Sequence, residues 1–170
     1  MLGFLFRGLT AERPSGTALF DALIAEARHK HWYVEGQVPD TLDGRFAVVA
    51  TVTAIAVVRL EREGAEGDRL SVALAERFIE VMESEHRELG LGDPALGRTV
   101  RKLVAMLAWR TDPWRAVRAG KQSAIEATRE SLYREGAAVT ALKHSAAALK
   151  RLAARLESAP LADVEQGRLR

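Results

Sequence analysis

Apolar residues recur at three- and four-residue spacing along most of the chain, which is typical of one buried face of an α-helix. The first stripe predicts a helix from about Thr17 to Tyr33. Later stripes predict helices from Asp68 to about Leu89, near 94 to 109 and near 113 to 134, followed by a last helix with heptad spacing. Because glycine and proline fall mostly between these segments, the pattern predicts an all-α fold of about six helices.

Two Asp-Pro pairs give the sharpest predicted boundaries. In Asp93-Pro94 and in Asp112-Pro113, an acidic residue that can cap a helix stands before a proline. Proline fits the first turn of a helix because the amide that it lacks has no partner there. Each pair therefore predicts a helix start, and the second pair predicts a break between the fourth and fifth helices.

The segment from Phe46 to Val58 is apolar at nearly every position and lies between Arg45 and Arg59. As a helix it would reach only about 20 Å, against the roughly 30 Å of a bilayer core. Its β-branched residues are compatible with a strand, but it would be unusually long for one. We therefore predict a central helix surrounded by the others, with an interfacial membrane helix as the alternative.

The 170-residue length and the 48% hydrophobic content indicate one domain. We assign the helical domain to residues 15–158, an N-terminal segment to 1–14 and a surface tail to 159–170. The chain has no cysteine, which excludes disulfides and thiolate chemistry. The apolar start, Met1 to Phe6, has no leading positive charge and is short for a secretion signal, so a cytoplasmic location is expected.

Charge is distributed unevenly along the chain. Residues 1–96 carry a net charge of −6, from 10 basic and 16 acidic residues, and residues 97–170 carry +8, from 15 and 7. The segment 98–121 has seven basic residues and one acidic residue, with two tryptophans among them. This composition suits binding to a ribosome or an anionic membrane, and the simpler alternative is solvated cations around core tryptophans. The candidates are Arg98, Arg101, Lys102, Trp109, Arg110, Trp114, Arg115, Arg118 and Lys121.

Two Glu-x-x-His steps, Glu26 to His29 and Glu83 to His86, are the strongest catalytic signal. Di-iron sites in helical bundles use two such steps, but they also need an inward glutamate from each of two further helices. The second and fourth helices lack that carboxylate, so we interpret the steps as surface pairs. His31 and His144 stand alone in the sequence. We therefore predict no catalytic residue, metal or cofactor, and a metal-dependent oxidase remains the enzyme-class alternative.

An acidic and aromatic corner precedes the central helix. Asp40 and Asp43 are interpreted first as helix-capping residues. Gly44 lies inside the first helical turn, where glycine costs helix propensity unless another group packs closely against it. We hypothesise that a partner protein is that group.

Two motifs in this chain resemble the ubiquinol-cytochrome c chaperone family. The first is Val38-Pro-Asp-Thr-Leu-Asp-Gly-Arg-Phe46 followed by an apolar helix that ends in Arg59-Leu60. The second is 78–83 followed by 87–93, and the resemblance covers roughly 15 to 125. The chain departs from the family in 107–114, where only Arg110 and an aromatic residue at 114 fit the usual cluster.

The resemblance implies a non-enzymatic chaperone that binds newly made cytochrome b during assembly of the respiratory bc1 complex. It also implies a small accessory protein and the ribosomal tunnel exit as partners, and a position at the cytoplasmic face of the inner membrane. DNA and small-molecule substrates are not expected. The client-binding candidates are Trp32, Tyr33, Asp40, Asp43, Gly44, Arg45 and Phe46.

A general helical scaffold is the remaining alternative. Leu142, Leu149 and Leu156 have heptad spacing on the last helix. Such a row can form a coiled-coil seam between two chains as readily as an internal contact.

Overall fold

The structure is a computed structural model that describes residues 15–88, 96–134 and 136–169, without the side chains of 85–88 and 96–99. Within these residues it is a bundle of seven α-helices and one short 3-10 turn, with no strand, which confirms the predicted all-α class. The helices are α1 (Thr17–Ala27), α2 (Leu42–Leu60), α3 (Gly64–Glu88), α4 (Leu96–Arg118), α5 (Ala124–Leu132), α6 (Val139–Ser158) and α7 (Leu161–Glu165).

Helix α2 is the centre of the bundle, as its uninterrupted apolar sequence predicts. It contacts α1, α3, α4, α5 and α6. Most of its residues are buried, and Phe46, Val49 and Val57 are partly buried. Among the described helices, none combines the length and the hydropathy that crossing a bilayer requires.

The first helix is shorter than predicted. It ends at Ala27 and is followed by the 3-10 turn Lys30–Trp32. The Trp32 indole donates a hydrogen bond to the Glu26 carbonyl at 2.9 Å, and the Tyr33 hydroxyl donates one to the Ala27 carbonyl at 3.0 Å. These side chains fold back and satisfy carbonyls that the end of a helix leaves without partners.

The predicted break at Asp112-Pro113 is wrong, because α4 continues through Pro113 to Arg118. Proline inside a helix removes one backbone hydrogen bond and crowds the preceding turn. In that turn the Arg110 guanidinium donates to the Met106 carbonyl at 3.1 Å, and the Thr111 hydroxyl donates to the Ala108 carbonyl at 2.6 Å. The break comes instead after Arg118, and the other pair, Asp93-Pro94, lies outside the described residues.

The C-terminal half packs back onto the first two helices. Leu142, Leu149 and Leu156 are buried inside the bundle, so the hypothesis of an exposed coiled-coil seam is wrong. The tail forms the short helix α7, which contacts α1 and buries Val164, while the other described residues of 159–169 are partly or fully exposed. Apolar side chains that align every seven residues serve here as internal contacts because α6 lies against α2 and α5.

Candidate functional site

A groove of about 560 Å³ opens beside the N-terminal end of α2. Its floor is apolar and its rim is charged, with basic side chains outnumbering acidic ones. Residues of α1, the following loop, α2, α3 and α4 line it, together with Arg134. The apolar lining comprises Ile24, Ala27, Tyr33, Leu42, Phe46, Val49, Met82, Leu103 and Met106, and the charged lining comprises Arg28, Lys30, Asp40, Asp43, Arg45, Lys102 and Arg134.

Helix α2 is capped by Thr41, and not by either aspartate of the corner. The Thr41 hydroxyl accepts a hydrogen bond from the Gly44 amide at 3.2 Å. Asp40 instead forms an ion pair with Arg45 at 2.6 Å on the groove rim, and this hydrogen bond lowers the pKa of the Asp40 carboxyl. Asp43 lies in the first turn, where its charge complements the helix dipole. The capping prediction is therefore wrong for Asp40 because its side chain is already bound to Arg45.

Gly44 has a close neighbour within the chain itself. A Cβ atom at this position would lie 1.9 Å from the Pro39 carbonyl oxygen. The loop before α2 thus crosses the first helical turn at a distance that no side chain tolerates. This crossing explains the glycine without a partner protein, and it fixes the direction in which residues 38–41 enter the groove rim.

Five of the seven client-binding candidates line the groove: Tyr33, Asp40, Asp43, Arg45 and Phe46. The other two do not reach it. Trp32 is fully buried in the core and Gly44 is buried beneath the loop. A buried indole needs a hydrogen-bond partner for its N–H group. The Glu26 carbonyl is that partner for Trp32.

Phe46, which lines the groove, packs behind the groove against an aromatic ring and a buried cation. Phe46 packs against Phe78 with ring centroids 5.8 Å apart. The Arg110 guanidinium lies 5.9 Å from the Phe46 ring and 5.1 Å from the Trp109 ring. Burial, with a smaller contribution from the positive charge of Arg134, lowers the pKa of Arg110 to about 10. Arg110 therefore supports the groove from inside and does not form part of a docking surface.

The basic segment 98–121 is only partly a free surface. Arg101, Lys102 and Lys121 are exposed, and the side chain of Arg98 lies outside the described residues. Trp109 is 48% exposed but Trp114 is 3% exposed. One of the two tryptophans predicted to lie on a docking surface therefore belongs to the core. The Trp114 indole donates to the Ser131 hydroxyl at 3.3 Å, which gives its N–H a partner inside the bundle.

Two further cations of this segment are held by neighbouring groups. Arg115 forms ion pairs with Glu61 at 2.6 Å and with Asp112 at 2.6 Å. Arg118 donates to the Val58 carbonyl at 2.5 Å. Glu61 follows α2 and comes close to this segment only because α2 and α4 pack together, so a local count of charges overstates the free positive charge.

The sequence missed a cluster of histidines. His31 and His144, predicted to stand alone, lie with Nδ1 and Nε2 3.2 Å apart, although 113 residues separate them. His29 Nδ1 lies 3.6 Å from the Glu26 carboxylate, whose other oxygen accepts a hydrogen bond from Arg155 at 2.6 Å. Burial and the neighbouring His144 lower the pKa of His31. The second Glu-x-x-His step cannot be placed in the same way, because the side chain of His86 lies outside the described residues.

The chain is similar to proteins of known family and structure. The family model for the ubiquinol-cytochrome C chaperone matches residues 34–170, and so reaches further toward the C-terminus than the motifs suggested. The crystal structure of the Cbp3 homolog from Brucella abortus has a similar fold, with a TM-score of 0.79 and 21% sequence identity over 99% of this chain and 95% of that chain. No curated protein matches the sequence.

Proposed function

The chain belongs to the ubiquinol-cytochrome c chaperone family, and from this premise we propose that it binds newly synthesised cytochrome b and promotes assembly of the bc1 complex without catalysing a reaction. The observation that carries the proposal is the groove beside α2. Five residues of the family-like corner line it, although no property of the linear sequence requires them to share one cavity. Their shared position in one groove supports a binding role for this corner.

The chemistry of the groove suits an apolar helical segment of a membrane protein. Such a segment binds by placing the apolar side chains of one face into a hydrophobic groove. The apolar lining, with Phe46, Leu103 and Met106, offers that surface, and methionine adapts to clients of varied shape. The charged rim would meet the polar ends of the segment.

The groove can be tested by crosslinking at one position. Leu42 is exposed and lines the groove, whereas Val72 is exposed on α3 and is not among the lining residues. A photo-crosslinking amino acid at position 42 should capture newly made cytochrome b in cells, and the same residue at position 72 should not. Equal capture from both positions, or none from position 42, would contradict the assignment of the groove.

The cellular role can be tested by deletion and complementation. Loss of the gene should lower assembled bc1 complex and cytochrome b and leave other respiratory complexes largely intact. In the deletion strain, Val72→Asp should restore the cytochrome b spectrum and Leu42→Asp should not, because a carboxylate in the groove repels an apolar client. A normal cytochrome b spectrum in the deletion strain under respiratory growth would refute the proposed function.

We further propose that the exposed cations of α4 and of the turn after it hold the chaperone on an anionic surface, either the ribosome or the cytoplasmic face of the inner membrane. Arg101, Lys121 and the exposed Trp109 are the residues to change, since Arg115 and Arg118 already have partners. Binding to phosphate-rich surfaces releases counterions and weakens steeply with salt.

The docking surface requires a charge-matched control. Lys150 and Arg151 are exposed on α6 and carry the same total charge as Arg101 and Lys121. Reversing Arg101 and Lys121 to glutamate should reduce low-salt sedimentation with ribosomes or with anionic vesicles, and reversing the α6 pair should have little effect. The two sedimentation assays distinguish the surfaces, and equal loss from both double variants would show that only total charge matters.

A further inference from the structure

Three of the four histidines gather with one glutamate where α1, the 3-10 turn and α6 meet. One potential metal-ligand atom each from Glu26, His29 and His31 lies within 4.8 Å of the others. His144 joins from α6, with its Nε2 3.2 Å from His31 Nδ1. In the part of the chain that the structure describes, Glu26, His29 and His31 are the one group of three or more metal-ligand side chains at such distances, and His144 lies beside this group through its contact with His31.

The spacing is close to that of a metal site. Two ligands on a tetrahedral Zn²⁺ ion, each about 2.1 Å from the metal, lie about 3.4 Å apart. The His31–His144 nitrogen pair at 3.2 Å and the Glu26–His29 pair at 3.6 Å are near this value. The ligand atoms of Glu26, His29 and His31 all lie within 4.8 Å of one another, and rotation of the exposed His29 side chain can shorten the distances that it makes. His144 lies outside this group and would have to turn toward Glu26 and His29 to share one ion with them.

The surroundings support ligation as well. Arg155 holds the second oxygen of the Glu26 carboxylate at 2.6 Å, so the first oxygen remains directed toward His29. Hydrogen bonds of this kind orient the ligands of many metal sites. His31 packs against the buried Trp32 ring in a tilted arrangement with centroids 4.4 Å apart, which restricts the orientation of its imidazole.

We propose that Glu26, His29, His31 and His144 form a site for one divalent metal ion of the borderline class, with Zn²⁺ as the best match. Imidazole and carboxylate ligands without a thiolate are suited to Zn²⁺, and four such ligands close a tetrahedral shell. The ion would take the place of the hydrogen atom in the hydrogen bond between His31 Nδ1 and His144 Nε2. It would join the end of α1 to α6 and so fix the loop that carries Lys30 and Tyr33 to the groove wall.

The test uses the full-length purified chain, stripped of metal and with any purification tag removed. Titration with Zn²⁺ against a chromogenic chelator should give one bound ion per chain, and the same addition should raise the melting temperature. His29 is 59% exposed at its side chain, so His29→Gln leaves the core intact. This variant should bind Zn²⁺ more than about tenfold more weakly, since even the loss of an outer partner of a ligand costs about that factor.

Controls separate a built site from general charge. Glu35→Gln removes an exposed carboxylate from the same loop and should leave the affinity unchanged. His144→Asn should weaken binding and alter the visible spectrum of bound Co²⁺. The absence of one-to-one binding in the unmodified chain, or equal affinity of His29→Gln and Glu35→Gln, would overturn the site. Unchanged affinity in His144→Asn would overturn the four-ligand arrangement. All these measurements are independent of client binding.

Discussion

Arg59 offers a sharp test of what holds the bundle together. Its side chain is 4% exposed at the C-terminal end of α2, where it reaches across to the end of α6. It donates to the Leu156 carbonyl at 2.8 Å and to the Ala159 carbonyl at 3.0 Å, and it forms an ion pair with Glu63 at 2.5 Å. Arg59→Leu would leave all three acceptors without this donor.

The expected cost follows from the burial of these groups. Breaking a buried charge pair by removing one partner typically costs about 3 to 5 kcal/mol. The two carbonyls belong to the end of a helix, where no backbone amide can replace the guanidinium. Leucine recovers part of this cost by burying apolar surface, so we expect Arg59→Leu to lower the free energy of unfolding by about 3 kcal/mol.

Arg62→Leu is the matched control. Arg62 is 52% exposed at its side chain and pairs with Glu157 and Glu63 on the surface. Exposed pairs contribute about 1 kcal/mol or less. Urea unfolding followed by circular dichroism should therefore separate the two variants by at least about 2 kcal/mol, with an unchanged slope against denaturant. Similar stabilities for both variants would refute the role assigned to Arg59.

Two further predictions concern burial. Val52 is fully buried in α2, so Val52→Asp should unfold the domain, because an unpaired buried carboxylate costs several kcal/mol against a total of about 5 to 15. Val72→Asp on the exposed face of α3 should leave the circular dichroism spectrum and the melting temperature nearly unchanged. Tyr133→Phe removes hydrogen bonds to the Gly36 carbonyl at 2.5 Å and the Ser145 hydroxyl at 2.7 Å, and should cost about 1 to 3 kcal/mol. Burial raises the pKa of Tyr133, so the folded chain keeps this proton above pH 10 while the unfolded chain releases it, and stability should fall as the pH rises above that value. The alkaline fall should be smaller in Tyr133→Phe, and an identical pH profile of the two proteins would contradict the assignment.

Much of the fold was predictable because helix formation and burial leave local patterns. The central helix was recognised from its continuous apolar residues, and the groove corner from the motif 38–46. The helix break predicted at Pro113 is wrong for an equally local reason. A proline after an aspartate is a common helix start, and only the side-chain hydrogen bonds of Arg110 and Thr111 accompany the continuation of α4 through it.

The sequence by itself determined the class, the central helix and the family resemblance, because these depend on residues close together in the chain. The tertiary structure decided which of the candidate binding residues face solvent. Trp32, Trp114 and Arg110 are buried, and Arg115 is paired with Glu61 across two helices. The packing of the helices also places His31 next to His144. Contacts of this kind depend on how helices pack, and packing is set by the complementary shapes of whole faces, which no single stretch of sequence contains.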